Sequence, residues 1–72
     1  MSAWTDDDKI TFGKYAGTKM IAVPASYLLW LWNNGMWKET RSNKNDPCRL
    51  YIIKNFEALE MDAPDVIVDH RP

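Results

Sequence analysis

The sequence is poor in the residues that build covalent and catalytic sites. Its 72 residues include one cysteine, Cys48, and one histidine, His70, so an internal disulfide framework is excluded. His70 lies among scattered aspartates near the end of the sequence, and that spacing is too loose for a preorganised metal site. No nucleophile has a base that packed elements would hold within hydrogen-bond reach. We therefore expect no enzymatic activity, no metal and no cofactor.

Long apolar runs are also missing. The longest, Tyr27 to Trp32, is far shorter than a membrane span, and no charged-then-apolar leader of the kind that forms a signal peptide is present. We expect a cytoplasmic protein that makes no contact with a membrane.

Aromatic side chains are plentiful. There are 4 Trp, 3 Tyr and 2 Phe, and aromatic residues bury the largest apolar area per residue. Residues 1–72 are enough for a single small domain, whose core is marginal without a disulfide. The aromatic residues are therefore expected to fill the core. Self-association, for example as a homodimer, is the other common remedy for a small core.

Charge is divided among three segments. Residues 1–8 form an acidic N-terminal arm with three aspartates and no basic residue. Residues 9–54 carry eight basic and two acidic side chains, which is a formal charge of +6. Residues 55–72 carry five acidic side chains and one arginine. This basic body is either an ordinary solvated surface or a face for an anion, and in the second case the acidic ends stay away from that face or compete for it.

Residues 10–23 carry β-branched and aromatic residues around glycines, which predicts a β-hairpin. Gly17 is free to adopt the positive φ of a turn. Gly13 lies inside the first arm, where a glycine indicates a bulge or the close approach of another group. Because an isolated hairpin is marginally stable, we expect this one to pack on a helix.

Residues 24–34 predict a helix that begins at a proline and stops at Gly35. This helix is apolar nearly all round. Leu29 and Trp30 are hard to bury together in so small a domain, so one of them is expected to be a contact residue. Residues 36–46 are polar and basic, and they predict a loop of the kind that often carries binding residues.

Residues 46–60 predict a second helix, because Asp46 and Pro47 are an N-cap residue followed by a residue suited to the first turn. Its apolar stripe consists of Cys48, Ile52, Phe56 and Leu59. A thiol on such a stripe is expected to be buried rather than nucleophilic.

Residues 61–72 form an acidic tail, in which Val66 to Val68 make either a short edge strand or a frayed end. The predicted fold class is α+β: an N-terminal β-hairpin packed on two α-helices, with a possible short C-terminal strand.

Three short segments resemble a known signature. They are Phe12-Gly13-Lys14-Tyr15-Ala16-Gly17, Val23-Pro24 and Tyr27-Leu28-Leu29-Trp30. They look like Phe-Gly-Lys-Tyr/His-x-Gly followed by Pro-x-x-Tyr-Leu-x-Trp, which is typical of a family of short bacterial and phage proteins of unknown function. Some members are labelled quorum-sensing-regulated virulence factors. The signature is also similar to the C-terminal module of exodeoxyribonuclease X-type proteins.

The resemblance covers residues 10–32 and departs from the pattern at Ala16, where relatives often have another lysine. It implies a small α+β module in the cytoplasm of a bacterium or of a phage-infected bacterium. Because some relatives are attached to an exonuclease, it also implies work near DNA, by association only.

These observations predict a non-catalytic, nucleic-acid-associated accessory module with a basic, aromatic-bearing face. Cationic side chains would contact phosphates of single- or double-stranded DNA and release counterions, while aromatic side chains would stack on bases. The predicted cationic contacts are Lys14, Lys19, Arg41, Lys44 and Arg49, and the predicted stacking residues are Tyr15, Trp30 and Trp37.

The alternative is a protein-interaction module, such as a phage-encoded inhibitor or a virion component. Leu29, Trp30 and Trp37 would then form an apolar patch for a host or phage protein, and the acidic ends would add specificity. Convergence of cations and rings on one exposed patch would favour DNA, whereas a copurifying protein or a tight homodimer that buries Trp30 would favour this alternative.

Overall fold

Three short α-helices joined by turns form the described part of the chain. The computed structural model describes residues 3–72. The helices are α1 at Ala25–Leu31, α2 at Pro47–Lys54 and α3 at Phe56–Asp62. A 3₁₀ turn at Met20–Ala22 precedes α1, and a π-helical turn at Trp32–Met36 follows it. Helix α1 packs against α3 and against the π-helical turn. Within residues 3–72, none of the helices combines the length and the apolar character needed to cross a membrane.

The predicted β-hairpin over residues 10–23 is wrong, and so is the α+β fold class. Across residues 3–72 there is no β-strand, and a single antiparallel bridge pairs Lys9 with Lys19. Between them, backbone hydrogen bonds close turns: the Thr18 N–H donates to the Tyr15 carbonyl at 2.9 Å. Backbone N–H groups that already donate within turns cannot also donate to a neighbouring strand, so strand pairing does not extend through this segment.

The segment is anchored by individual buried side chains instead of by strand pairing. Ile10 and Met20 are 0% and 1% exposed, and they fix the two ends of a loop that stands out from the core. We call residues 12–17 of this segment the glycine loop. Gly13 and Gly17 both have positive φ there, at 77° and 88°, which glycine adopts far more readily than other residues.

The predicted helix over residues 24–34 is present in a shorter form. Helix α1 ends at Leu31, and the chain continues into the wider π-helical turn, in which the Trp37 N–H donates to the Trp32 carbonyl at 3.1 Å. Gly35 has φ of 141° inside that turn. This φ is not helical, so the helical geometry is interrupted at the residue where the sequence predicts the helix to stop.

The start of the second predicted helix is confirmed in detail. The Asp46 carboxylate accepts from the Cys48 and Arg49 N–H groups at 2.8 and 3.3 Å, and Pro47 is the first helical residue. These bonds satisfy donors that a helix start otherwise leaves without partners.

The predicted single helix over residues 46–60 is instead two helices that meet at Asn55. Asn55 has φ of −107° and ψ of 16°, which departs from helical geometry. Its side-chain amide donates to the Tyr51 carbonyl at 3.0 Å, the same acceptor that its backbone N–H reaches at 3.1 Å. A side chain that competes for a helical carbonyl in this way favours a bend.

The core is centred on Trp32, which is 1% exposed. The Phe56 ring meets it edge-on, with centroids 5.4 Å apart. The predicted stripe of the second helix is buried, and its Cys48 is fully enclosed. Burial raises the pKa of the Cys48 thiol from 9.0 to about 12, and the expectation of a buried thiol is confirmed. The buried apolar residues are Ile10, Met20, Val23, Leu28, Leu29, Trp32, Cys48, Tyr51, Ile52, Phe56 and Leu59.

The acidic tail is neither an edge strand nor frayed. The Trp32 indole N–H donates to the His70 carbonyl, and the Asn33 amide donates to the Ile67 carbonyl at 2.7 Å. The His70 ring lies flat on Trp37, with centroids 3.6 Å apart and planes 13° apart. These contacts hold residues 66–71, which we call the strap, against the π-helical turn and Trp37.

The described part of the acidic arm also packs on the core. Residues 1 and 2 of the predicted arm 1–8 lie outside the described residues. The Trp4 N–H donates to the Pro47 carbonyl at 3.2 Å, and the Tyr51 hydroxyl donates to Asp6 Oδ1 at 2.8 Å. Burial and this hydrogen bond raise the pKa of Tyr51 from 10.0 to about 12.

Candidate binding groove

An open groove lies between the glycine loop and the outer side of α1. It has a volume of about 710 Å³. Trp30 is 55% exposed and Phe12 is 36% exposed, so part of its aromatic lining faces solvent. The lining residues are Phe12, Gly13, Lys14, Tyr15, Ser26, Tyr27, Trp30 and Leu31. We call this feature the aromatic groove.

Three rings in the aromatic groove form a continuous series. Tyr15 meets Tyr27 edge-on, with centroids 4.8 Å apart and planes 69° apart. Tyr27 in turn stacks on Trp30, with centroids 5.8 Å apart and planes 18° apart. Edge-on and offset-stacked pairs are the favoured geometries of aromatic contacts. Trp30 is therefore stacked on Tyr27 and still more than half exposed to solvent.

Gly13 allows the loop to approach this series of rings. A Cβ atom at Gly13 would lie 2.2 Å from the Tyr27 hydroxyl oxygen, which is far inside contact distance. The same hydroxyl accepts a hydrogen bond from the Lys14 N–H at 3.3 Å. The predicted close approach of another group at Gly13 is thus confirmed, and the group is Tyr27.

Lys14 is the one charged residue among the described residues that line the groove. Its ammonium lies 5.6 Å from the centre of the Tyr15 ring, within cation–π range. Within residues 3–72, no carboxylate pairs with it. Its backbone N–H already donates to Tyr27, so the ammonium is the group that Lys14 offers to an anion.

The groove unites three of the eight residues predicted from the sequence: Lys14, Tyr15 and Trp30. Lys19 lies outside it and forms an exposed ion pair with Asp7 at 3.8 Å. Arg41 and Lys44 are exposed in the loop that follows the π-helical turn, and neither lines the groove.

Two further predicted contact residues are engaged inside the fold. Arg49 is 5% exposed, and its Nε–H donates to the Met36 carbonyl at 2.8 Å. Its guanidinium also lies 5.8 Å from the Trp32 ring. One face of Trp37 is covered by His70. In this conformation Arg49 and Trp37 hold the π-helical turn and the strap together.

The apolar patch of the protein-interaction alternative is likewise divided. Leu29 is fully buried whereas Trp30 is exposed. Of this pair, Trp30 is the one that is open to a contact. Leu29 cannot contribute to a surface patch.

Sequence reasoning missed the part that Tyr27 plays. Tyr27 belongs to the matched signature, but it is not among the residues predicted to contact DNA or a partner protein. A signal for its actual role was present, because Tyr27 and Trp30 are three residues apart and side chains at that spacing are neighbours on a helix.

In the described part of the chain, no group of three or more His, Cys, Asp or Glu side chains could hold a metal ion.

Comparison with known proteins gives one family. A family described as "Putative quorum-sensing-regulated virulence factor" matches residues 5–41, a range that includes every lining residue of the aromatic groove and stops before α2. The family description names no reaction and no binding partner. No curated protein and no solved structure matches the chain. Because the match covers more than half of its residues, the chain belongs to this family.

Proposed function

We propose that the chain is a non-catalytic, nucleic-acid-associated module that binds through the aromatic groove. The observation that carries this proposal is the convergence of Lys14, Tyr15 and Trp30, from two separate segments, on one open groove. An ammonium beside exposed rings can neutralise a phosphate while the rings stack on bases, which is how proteins hold nucleic-acid strands.

The charge of the central part of the chain supports the same partner. Residues 9–54 carry a formal charge of +6, and Lys9, Lys38, Arg41 and Lys44 are exposed. Such charges attract a polyanion over roughly one Debye length, about 8 Å at physiological salt. The Lys19–Asp7 pair is exposed on both sides and contributes little to stability, so Lys19 can exchange Asp7 for a phosphate. Arg49 is left out of the proposed interface.

The non-catalytic part of the proposal rests on the thiol and on the family description. Cys48 is fully buried, and its raised pKa of about 12 keeps the thiol protonated at neutral pH, whereas the thiolate is the nucleophile. The family description names a virulence factor and no reaction.

The test is the salt dependence of DNA binding. Affinity for single- and double-stranded oligonucleotides is measured across a series of salt concentrations, and we expect it to fall steeply as salt rises. Lys14→Gln should lower the log–log slope by about one. Lys54→Gln removes the same charge from an exposed site outside the groove and is the matched control, with a smaller expected effect. Binding that is absent, or insensitive to salt, with both forms of DNA would refute the proposal.

A protein-interaction function is the second candidate, and one observation favours it. The groove lining is predominantly apolar because Phe12 and Leu31 lie beside the rings, and exposed tryptophans are frequent hot spots in protein interfaces. Two results together would establish this candidate in place of the first. The first is a dimer, or a complex with a host or phage protein, that persists after nuclease treatment and dissociates when Trp30 is replaced by alanine. The second is that the parent chain does not bind DNA.

A further inference from the structure

We infer that the aromatic groove binds an unpaired nucleotide, with the base stacked on the exposed part of Trp30 and a phosphate held by the Lys14 ammonium. This inference rests on the proposed nucleic-acid function and specifies its ligand. It predicts that the chain prefers single strands, ends and loops to intact duplex.

The first argument is the state of the Trp30 ring. Trp30 is 55% exposed although it lies on the helix that carries the core residues Leu28 and Leu29. Its ring is already stacked on Tyr27, at 5.8 Å and 18°. A base that adds to this stack extends an ordered series of rings, so little side-chain freedom remains to be lost on binding.

The second argument is that the cation and the rings belong to one hydrogen-bonded unit. Tyr27 supports Trp30 through its ring, and its hydroxyl accepts from the Lys14 N–H at 3.3 Å. The absence of a Cβ at Gly13 lets the loop and the hydroxyl approach this closely. The backbone of Lys14 is therefore fixed relative to the stacking ring. Its flexible side chain can then reach a phosphate attached to a base on that ring.

The third argument concerns the form of nucleic acid. In a duplex each base is covered on both faces by its neighbours, and only base edges and the backbone are open. A flat ring in a groove can use only a base whose face is open, and stacking of this kind tolerates any base. Extracting a base from a duplex costs a few kcal/mol, so duplex DNA can use Lys14 but not Trp30.

The test compares three probes on the full chain: a short oligothymidylate, an abasic strand with the same number of phosphates, and a relaxed, covalently closed circular duplex, which has neither ends nor loops. We expect the oligothymidylate to bind tightest and to quench tryptophan fluorescence. Trp30→Ala should weaken oligothymidylate binding about tenfold, equivalent to about 1.4 kcal/mol, and leave the abasic strand unchanged. Lys14→Gln should weaken binding of both strands.

Two conservative variants separate stacking from structural effects. Trp30→Phe keeps a ring and should bind more tightly than Trp30→Ala, yet lose the fluorescence quenching. Trp4→Phe replaces a tryptophan outside the groove and should keep both the quenching and the affinity. Far-ultraviolet circular dichroism checks that each variant is folded. We expect the Trp30 variants to fold because Trp30 is more than half exposed.

The outcomes distinguish this inference from the function on which it rests. If the abasic strand or the duplex binds as tightly as oligothymidylate, base stacking is refuted while nucleic-acid binding stands. If none of the three probes binds, both the inference and the proposed function fail. As a further probe, an acidic peptide stands for a protein partner. If this peptide binds, Trp30→Ala abolishes its binding and oligothymidylate does not bind, the groove is a protein site. The inference and the proposed function then both fail.

Discussion

Replacing Gly13 with alanine tests how the aromatic groove is built. The added Cβ would lie 2.2 Å from the Tyr27 hydroxyl oxygen, at a residue whose φ is 77°. Two costs therefore combine. An L-residue in the left-handed region costs roughly 1–2 kcal/mol, and a side chain forced into occupied space costs about 1–3 kcal/mol more.

Gly17→Ala separates these two costs. Gly17 has φ of 88°, but a Cβ there meets no atom within 4 Å. It should carry the conformational cost alone. We therefore expect Gly13→Ala to lower the free energy of unfolding by about 1–3 kcal/mol more than Gly17→Ala. Urea denaturation followed by circular dichroism measures both, and each kcal/mol lowers the melting temperature of a domain of this size by about 4–8 °C.

A double-mutant cycle identifies the atom responsible. Tyr27→Phe removes the hydroxyl, and the next atom of that side chain is 3.5 Å from the Gly13 Cβ position, which is ordinary contact distance. In the Tyr27→Phe background, Gly13→Ala should cost no more than Gly17→Ala, whereas Tyr27→Phe alone should cost about 0.5–1.5 kcal/mol for its hydrogen bond to Lys14. Equal costs for Gly13→Ala and Gly17→Ala in the parent chain would refute the reasoning.

Two further predictions concern the second half of the chain. The pKa values of Cys48 and Tyr51 are both raised to about 12, from 9.0 and 10.0, and the protonated form of each group is neutral. The stability that they contribute is complete below pH 9 and is lost as the pH rises toward 12. The urea midpoint should therefore fall over that range, and Cys48→Ala should flatten the fall; a constant midpoint would contradict this. Asp46→Ala removes the cap of α2 and should cost about 0.5–2 kcal/mol in urea denaturation, whereas Asp46→Asn should retain most of that stability. Equal losses for these two variants would contradict the capping role.

Local chemistry explains why parts of the fold were predictable. Asp46 and Pro47 start a helix through groups within three residues of each other. The apolar stripe from Cys48 to Leu59 follows the helical period. Gly35 stops a helical segment because of its own backbone freedom. Each of these features depends on neighbours in the sequence, so the pattern was sufficient to identify them.

Two of the failures involve groups that are distant in the sequence. The glycine loop has the composition of a hairpin, but its conformation depends on the Tyr27 hydroxyl, 13 residues from Lys14. The strap carries a β-branched run, but it is held by Trp32, 38 residues from His70. Tertiary contacts of this kind override β-propensity, which depends strongly on context.

The candidate site was predicted in part for the same reason. Lys14, Tyr15 and Trp30 were identified by residue type and by position in the signature, and the fold brings them together. Arg49 and Trp37 have the same chemistry, but the fold uses them internally, with Arg49 bonded to the Met36 carbonyl and Trp37 stacked under His70. Residue type alone does not distinguish these two uses.

The most direct measurement for the central claim is an NMR titration that follows the indole N–H resonances of the 4 tryptophans. On addition of a short oligothymidylate, we predict a large shift of the Trp30 resonance. The Trp32 resonance should stay in place, because that ring is buried and its N–H is bonded to the His70 carbonyl. A titration in which DNA binds while the Trp30 resonance does not move would contradict the account.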